Sequence, residues 1–236
     1  MTKTLAETAQ PATPVGHADD DTIHRLLEWA RGHRNVVTYG ATGLVIAAAL
    51  LGWTLFASRR SEAAAGEQLQ QARAAFEQDN LPLAASEFAR IRENYSGTRA
   101  AEEASLLLGQ ARLLQGQPQQ AIDVLSGFAG SASDAYRAQA YGLLGAAYEN
   151  VGKAADAGAA YQRAADAAEL PSFEAQYLSD AGRAWVAAGD TAKAVAAFQR
   201  IVRDLSETGS VNEASVRLGE LTKGAVTLPE PAAKKK

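Results

Sequence analysis

The sequence predicts an all-α protein in which a single transmembrane helix is followed by an α-solenoid of about four helix pairs plus a capping helix. Three observations lead to this fold class: an alanine-rich composition, one long uncharged apolar run, and a pattern that recurs every 36–37 residues. Of the 236 residues, 47% are hydrophobic but only 7% are aromatic. Alanine is the best helix former and is depleted from strands, so the composition favours packed helices over a sheet.

The composition also narrows the chemistry that the chain offers. It has no cysteine, and its three histidines, His17, His24 and His33, all precede the apolar run. Nucleophilic, general-base and transition-metal sites usually need these residue types. We therefore expect no enzyme activity, no catalytic residue, no cofactor and no metal site, although catalysis by carboxylates alone stays open.

The apolar run extends from Val36 to Ser58 and contains 23 residues without a charge. As a helix it would span about 34 Å, enough for a hydrocarbon core of about 30 Å. Tyr39 and Trp53 lie near its ends, where interfacial aromatic residues are common. A buried core helix and a cleaved signal peptide are the alternatives. Because 35 residues precede the run, and signal peptides have shorter apolar cores, we predict an uncleaved transmembrane helix over 36–58.

The charges that flank this run do not decide its orientation. The positive-inside rule compares basic residues on the two sides of a span. Three arginines lie on each side within a similar distance: Arg25, Arg31 and Arg34 before the run, and Arg59, Arg60 and Arg73 after it. The comparison is a near tie, so any prediction of topology needs another basis.

Three further segments lie outside the span and the repeats. Residues 1–18 are rich in Thr, Ala and Pro and are predicted to be a disordered tail, as are residues 225–236. Residues 19–35 predict a short amphipathic helix, since apolar residues recur at i, i+3, i+4 and i+7: Ile23, Leu26, Leu27 and Ala30. This helix would either lie on the membrane surface or a partner, or simply lead into the span.

Residues 61–224 contain the recurring pattern. An alanine followed four residues later by an aromatic residue or leucine appears four times, at intervals of 37, 36 and 37: Ala84–Phe88, Ala121–Leu125, Ala157–Tyr161 and Ala194–Phe198. A small residue stands twelve positions before each alanine: Ala72, Gly109, Gly145 and Gly182. A turn residue stands five positions before it: Asp79, Gly116, Gly152 and Gly189. Each repeat is therefore predicted to be a pair of helices.

Each recurring position has a physical reason. The small residue allows the second helix to approach the first, and the turn residue supplies the left-handed conformation that ends the first helix. The aromatic residue or leucine is expected to fill the groove between neighbouring pairs. Pro82 and Pro118 suit the start of a second helix, and Asp190 suits an N-cap. Gly219 follows Gly182 by 37 residues, which predicts a final capping helix.

The segments LLGQARLLQGQPQQAIDVL and LLGAAYENVGKAADAGAAYQRA carry this pattern most clearly, and they resemble the tetratricopeptide repeat, whose usual period is 34. The resemblance implies a concave protein-binding groove lined by side chains of the first helices. The groove residues it indicates are Leu69, Arg73, Glu103, Leu106, Gln110, Leu113, Gln139, Glu149, Gln176 and Arg183. The alternative is that these side chains form a solvated face without a ligand.

The order of the parts resembles the ancillary subunit of the bacterial Sec translocon, the YfgM type. That resemblance implies a bacterial inner-membrane protein with a cytoplasmic N-terminus and periplasmic repeats. Its expected partners are translocon subunits, a periplasmic chaperone and unfolded secreted clients. The alternative is a scaffold for envelope assembly or cell division that acts through protein contacts.

Charge argues against one further class of partner. Residues 61–224 contain 14 Lys and Arg against 21 Asp and Glu, a net charge of −7. Nucleic-acid-binding domains usually present a basic face. We therefore expect protein partners and one membrane helix, but no nucleic acid and no small-molecule substrate.

Overall fold

The computed structural model describes residues 29 and 31–224, and this part of the chain contains nine bounded α-helices and no strand. The helices are α1 Arg34–Glu77, α2 Leu81–Asn94, α3 Arg99–Leu114, α4 Pro118–Ala129, α5 Asp134–Asn150, α6 Ala154–Ala167, α7 Pro171–Ala187, α8 Thr191–Asp204 and α9 Val211–Thr222. The predicted all-α fold class is confirmed. Both predicted tails, and most of the predicted amphipathic helix over 19–35, lie outside the described residues.

The chain divides into two compact units, Met1–Ala57 and Ser58–Lys236. The first contains nearly all of the apolar run, whose large side chains are exposed; examples are Leu44, Leu50 and Trp53. In the described part of the chain, one helix is long and apolar enough to cross a membrane. The most apolar stretch of this helix contains no buried residue.

The second unit is a solenoid of helix pairs. Residues 61–77 of α1 and the helices α3, α5 and α7 are the first members of the pairs, called A helices below. The second members, or B helices, are α2, α4, α6 and α8, and α9 packs on α8 as the final helix. Consecutive helices pack together from α2 to α9, and the A helices α3 and α5 also meet. The four alanines that anchor the pattern are fully buried: Ala84, Ala121, Ala157 and Ala194.

In the second, third and fourth pairs, the glycine of the A helix makes room for a bulky residue of its own B helix. A Cβ atom at Gly182 would lie 2.5 Å from the Phe198 ring, closer than atoms of this kind approach one another. The same relation holds for Gly109 with Leu125 at 2.6 Å and for Gly145 with Tyr161 at 2.7 Å. The same bulky residues also belong to apolar clusters with the next pair, Leu125 with Leu144 and Tyr161 with Ala181, as expected for residues that pack between neighbouring pairs. The short turn places the glycine and the bulky residue face to face within one pair.

Contacts between the third and fourth pairs use two other glycines. Gly142 on α5 lies against the ring of Tyr177 on α7, where a Cβ atom would be 2.5 Å from the ring. Gly158 on α6 lies against the indole of Trp185 in the same way, at 2.7 Å. Close packing of a backbone against an aromatic face therefore joins successive pairs as well as the two helices of one pair.

The turns inside the pairs have the predicted backbone. The residue that ends each A helix has a positive φ: Asp79 at 59°, Gly116 at 68°, Gly152 at 74° and Gly189 at 77°. Asp190 caps α8, because its carboxylate accepts a hydrogen bond from the backbone N–H of Lys193 at 3.1 Å. These turns fix where each B helix begins, and hence which side of each A helix stays uncovered.

Candidate protein-binding face

The side of the A helices that points away from their own B helices is called the helix-A face. Successive residues of a helix are about 100° apart, so positions −6, −2 and +1 relative to the recurring small residue lie about 100–160° from it. These positions are half-exposed or exposed in α3, where Glu103, Leu107 and Gln110 occupy them. The helical period that turns the small residues toward the core therefore also turns these three positions away from it.

Two of the groove residues predicted from the sequence are buried instead of lying on this face. Leu69 is only 4% exposed and Leu106 only 3%, and both pack into apolar clusters of the solenoid. Each stands three residues before the small residue of its helix, about 60° from it, which turns the side chain toward the core. Their assignment to the groove is corrected: Leu107, one residue after Leu106, occupies the face position of α3 and is half-exposed.

At one end of the face, polar side chains connect three successive A helices. Arg73 of α1 forms an ion pair with Glu103 of α3. The hydroxyl of Tyr136 on α5 donates to the carboxylate of Glu103 at 3.4 Å. Two predicted residues are thus brought together from positions 30 apart in sequence, and Tyr136 joins them. The ion pair is partly exposed, so a charged partner group can reach it.

At the other end, a second polar cluster involves the third and fourth pairs. The hydroxyl of Tyr161 on α6 donates to the carboxylate of Glu149 at 2.8 Å, and Glu149 stands about 40° from Gly145, so this predicted groove residue lies on the side of α5 that meets its B helix. Arg183 pairs with Asp180 at 2.5 Å, and the Gln176 carboxamide donates to the same carboxylate at 3.4 Å. Burial, together with the hydrogen bond to Glu149, raises the pKa of Tyr161, so its hydroxyl keeps its proton. The hydrogen bond that Arg183 donates to Asp180 raises the pKa of the guanidinium, which stays charged.

The middle of the face is uncharged and offers free hydrogen-bonding groups. Leu113, another predicted groove residue, stands four residues after Gly109 and about 40° from it, so it points toward α4 and is half-buried at the edge of an apolar cluster rather than on this face. Within residues 29 and 31–224, the carboxamides of Gln110 and Gln139 make no hydrogen bond to the chain. A carboxamide both donates and accepts, so it can pair with the backbone of an extended polypeptide. The arrangement suits noncovalent binding of a peptide segment.

Next to Gln139 lies a cavity of about 360 Å³ that the sequence analysis did not predict. It is enclosed by the N-terminal ends of α5 and α7 and by the end of α6. Its apolar wall includes Leu170, which is 55% exposed, and Phe173, which is 57% exposed. A sequence signal existed: these large apolar residues stand at and just after a helix start, where polar residues are usual. We call this cavity the Phe173 pocket.

Comparison with known proteins agrees with this geometry. The family model described as tetratricopeptide repeat matches residues 103–134 and 178–206, which are the second and fourth helix pairs. The chain carries tetratricopeptide repeats. The third pair, α5 with α6, has the same Gly145–Tyr161 packing as the matched pairs.

Two solved structures are similar to the repeat unit. Both are crystal structures of one set of TPR-like repeats from Podosopora anserina, described as kinesin light chain repeats that are nearly identical to one another. One of the two structures carries a single substitution. They are 18% and 17% identical to this chain, with TM-scores of 0.51 and 0.52. The alignments cover 67% of this chain and 84% and 85% of theirs. At such identities the likeness shows the fold, a TPR-like solenoid. No curated protein sequence matches the chain.

Proposed function

We propose that this protein is a membrane-anchored protein-binding module whose helix-A face binds an extended segment of a partner polypeptide. Tetratricopeptide repeats indicate a protein-interaction module rather than a catalyst. The observation that carries the proposal is the helix-A face itself. Fixed polar clusters, Arg73–Glu103 at one end and Asp180–Arg183 at the other, flank the free carboxamides of Gln110 and Gln139.

Anchoring is supported by the exposed apolar residues of the first unit. The segment 38–57 exposes large apolar side chains such as Val45, Leu51 and Phe56. Contiguous apolar surface of this size is rare on proteins surrounded by water. In a bilayer the same surface would contact lipid, and the adjacent Arg59 and Arg60 would reach the headgroups.

The finer proposal concerns the partners. The order of an apolar helix followed by repeats supports an accessory subunit of the Sec translocon, the YfgM type, in the bacterial inner membrane. Its N-terminus would be cytoplasmic and its repeats periplasmic. The module would link emerging secreted proteins to periplasmic chaperones. The alternative function is a scaffold for envelope assembly or cell division, which the same helix-A face would serve equally well.

Affinity purification of the full chain from detergent-solubilised membranes tests this function. We expect translocon subunits or a periplasmic chaperone to be enriched, and the paired substitution Gln110→Ala with Gln139→Ala to reduce their recovery about tenfold. This expectation follows from losing two hydrogen-bonding groups at the centre of the face. The matched control is Gln119→Ala with Gln120→Ala on α4, two exposed carboxamides outside that face.

The outcome also separates the two candidate functions. Recovery of cell-division or envelope-assembly proteins, with the same sensitivity to the Gln110 and Gln139 substitutions, would favour the scaffold. Equal recovery by both paired variants would contradict binding through the helix-A face.

A further inference from the structure

The Phe173 pocket is a place where the solenoid leaves large apolar side chains uncovered. Three residues form its apolar wall: Leu170, Phe173 and Tyr177. The ring of Tyr177 is held in place by close packing against Gly142. Small side chains of α5 and the end of α6 form the rest of the apolar lining: Ala135, Ala138, Ala167 and Ala168. The small residues keep the pocket open, because larger ones would fill it.

The charged groups that line the pocket are negative. Asp134 lies on one side and Glu169 on the other, and no basic residue of the described chain lines the cavity. Asp134 pairs with Arg137 at 2.7 Å and is therefore partly neutralised. Glu169 is exposed and has no ion pair within residues 29 and 31–224. A cation beside the pocket would therefore be attracted chiefly by Glu169.

The polar group of the pocket connects it to the helix-A face. Gln139 lines the cavity and lies at the −6 position of α5, on the side away from α6. An extended segment that pairs with the Gln139 carboxamide would pass the mouth of the cavity. The volume of about 360 Å³ is at the lower end of the range for small-molecule pockets, which suits one large side chain rather than a whole ligand.

We propose that the Phe173 pocket binds one large apolar side chain of an extended partner segment in which the neighbouring residue is lysine or arginine. The inference rests on the proposed function, since it names the partner chemistry that the helix-A face selects. The apolar side chain would pack against Leu170, Phe173 and Tyr177. The neighbouring cation would be paired with Glu169. The negative charge of the repeat region would add attraction over a longer range.

Two peptides that differ at one position test the proposal. The probes are Gly-Ser-Phe-Lys-Ser-Gly and Gly-Ser-Phe-Glu-Ser-Gly, each with the same N-terminal dye, titrated with the full chain in detergent and followed by fluorescence anisotropy. We expect the lysine peptide to bind at least about tenfold more tightly than the glutamate peptide, as attraction replaces repulsion at Glu169. Phe173→Ser should weaken binding of the lysine peptide about tenfold.

Three further variants make the result specific. Glu169→Gln should reduce the preference for lysine over glutamate, and the remaining preference would come from Asp134 and the net negative charge of the repeat region. Val216→Ser changes an apolar residue that is 61% exposed on α9, outside the pocket, and should leave both affinities unchanged. Leu170→Ser repeats the test of the apolar wall independently of Phe173. An unchanged thermal transition of each variant, followed by circular dichroism, shows that the solenoid is intact.

Equal binding of the two peptides, or full binding by both Phe173→Ser and Leu170→Ser, would overturn the proposal. Failure here is distinguishable from failure of the proposed function. If purification through Gln110 and Gln139 still recovers partners while the peptides do not bind, only the role of the pocket is wrong. If neither experiment gives binding, the function itself is contradicted.

Discussion

Phe198→Ala is expected to lower the free energy of unfolding of the repeat unit by about 3–5 kcal/mol, the usual cost of removing a buried aromatic side chain. Phe198 is fully buried and packs on Gly182 of its own pair. It also belongs to an apolar cluster with Ile201 of α8 and Leu218 of α9. Its removal would leave a cavity where three helices meet, and the rigid turn at Gly189 limits how far the helices can close it.

The matched control is Phe173→Ala, the same substitution at a residue that is 57% exposed. We expect its effect to stay within about 0.5 kcal/mol, as is usual for surface positions. Both variants are measured as the full chain in detergent by urea titration, with unfolding followed through the fluorescence of the largely buried Trp185. Equal destabilisation by the two variants would mean that Phe198 does not fill the space beside Gly182.

Gly182→Ala is expected to destabilise the repeat unit by about 1–3 kcal/mol, the typical cost of overpacking a core. The added Cβ atom would lie 2.5 Å from the Phe198 ring, so either the ring or α8 must move. Gly219 occupies the equivalent position of α9, 37 residues later. A Cβ atom added there would have no neighbouring atom within 4 Å. Gly219→Ala should therefore stabilise α9 by about 0.5–1 kcal/mol.

The pair of glycine variants separates packing from helix propensity. Both replace a helical glycine by the best helix former, so propensity alone predicts a gain at both positions. A gain at Gly219 and a loss at Gly182, measured by the same urea titration, is the expected result. A gain at both would contradict the close approach of α7 and α8.

The repeats could be predicted from sequence because they depend on local rules that recur. A left-handed residue ends each A helix, and each of the four turn residues identified from spacing has this conformation. The buried alanines follow equally from the period of the helix. The bulky B-helix residues do pack with the next pair, as expected, but their contact with the glycine of their own pair did not follow from spacing alone. Only the three-dimensional packing pairs Phe198 with Gly182.

The helix-A face was predicted in part. Arg73, Gln110 and Arg183 directly follow the small residue of their helices. They lie on this face because one residue corresponds to a rotation of about 100° around the helix axis. Leu69 and Leu106 were misplaced because an error of one residue rotates a side chain by about 100°. The Phe173 pocket was not predicted: the apolar residues at the start of α7 were a signal for an exposed apolar site, but the shape of the pocket depends on how three helices pack, including the contact of Tyr177 with Gly142.

The measurement that tests the central claim most directly is photo-crosslinking from one residue on each side of a helix pair. A photoreactive amino acid replaces Gln110 on the helix-A face or Gln120 on α4, in cells that produce the full chain. The binding account predicts crosslinks to partner proteins from position 110 and few or none from position 120. Equal crosslinking from both positions, or crosslinking from position 120 alone, would contradict it.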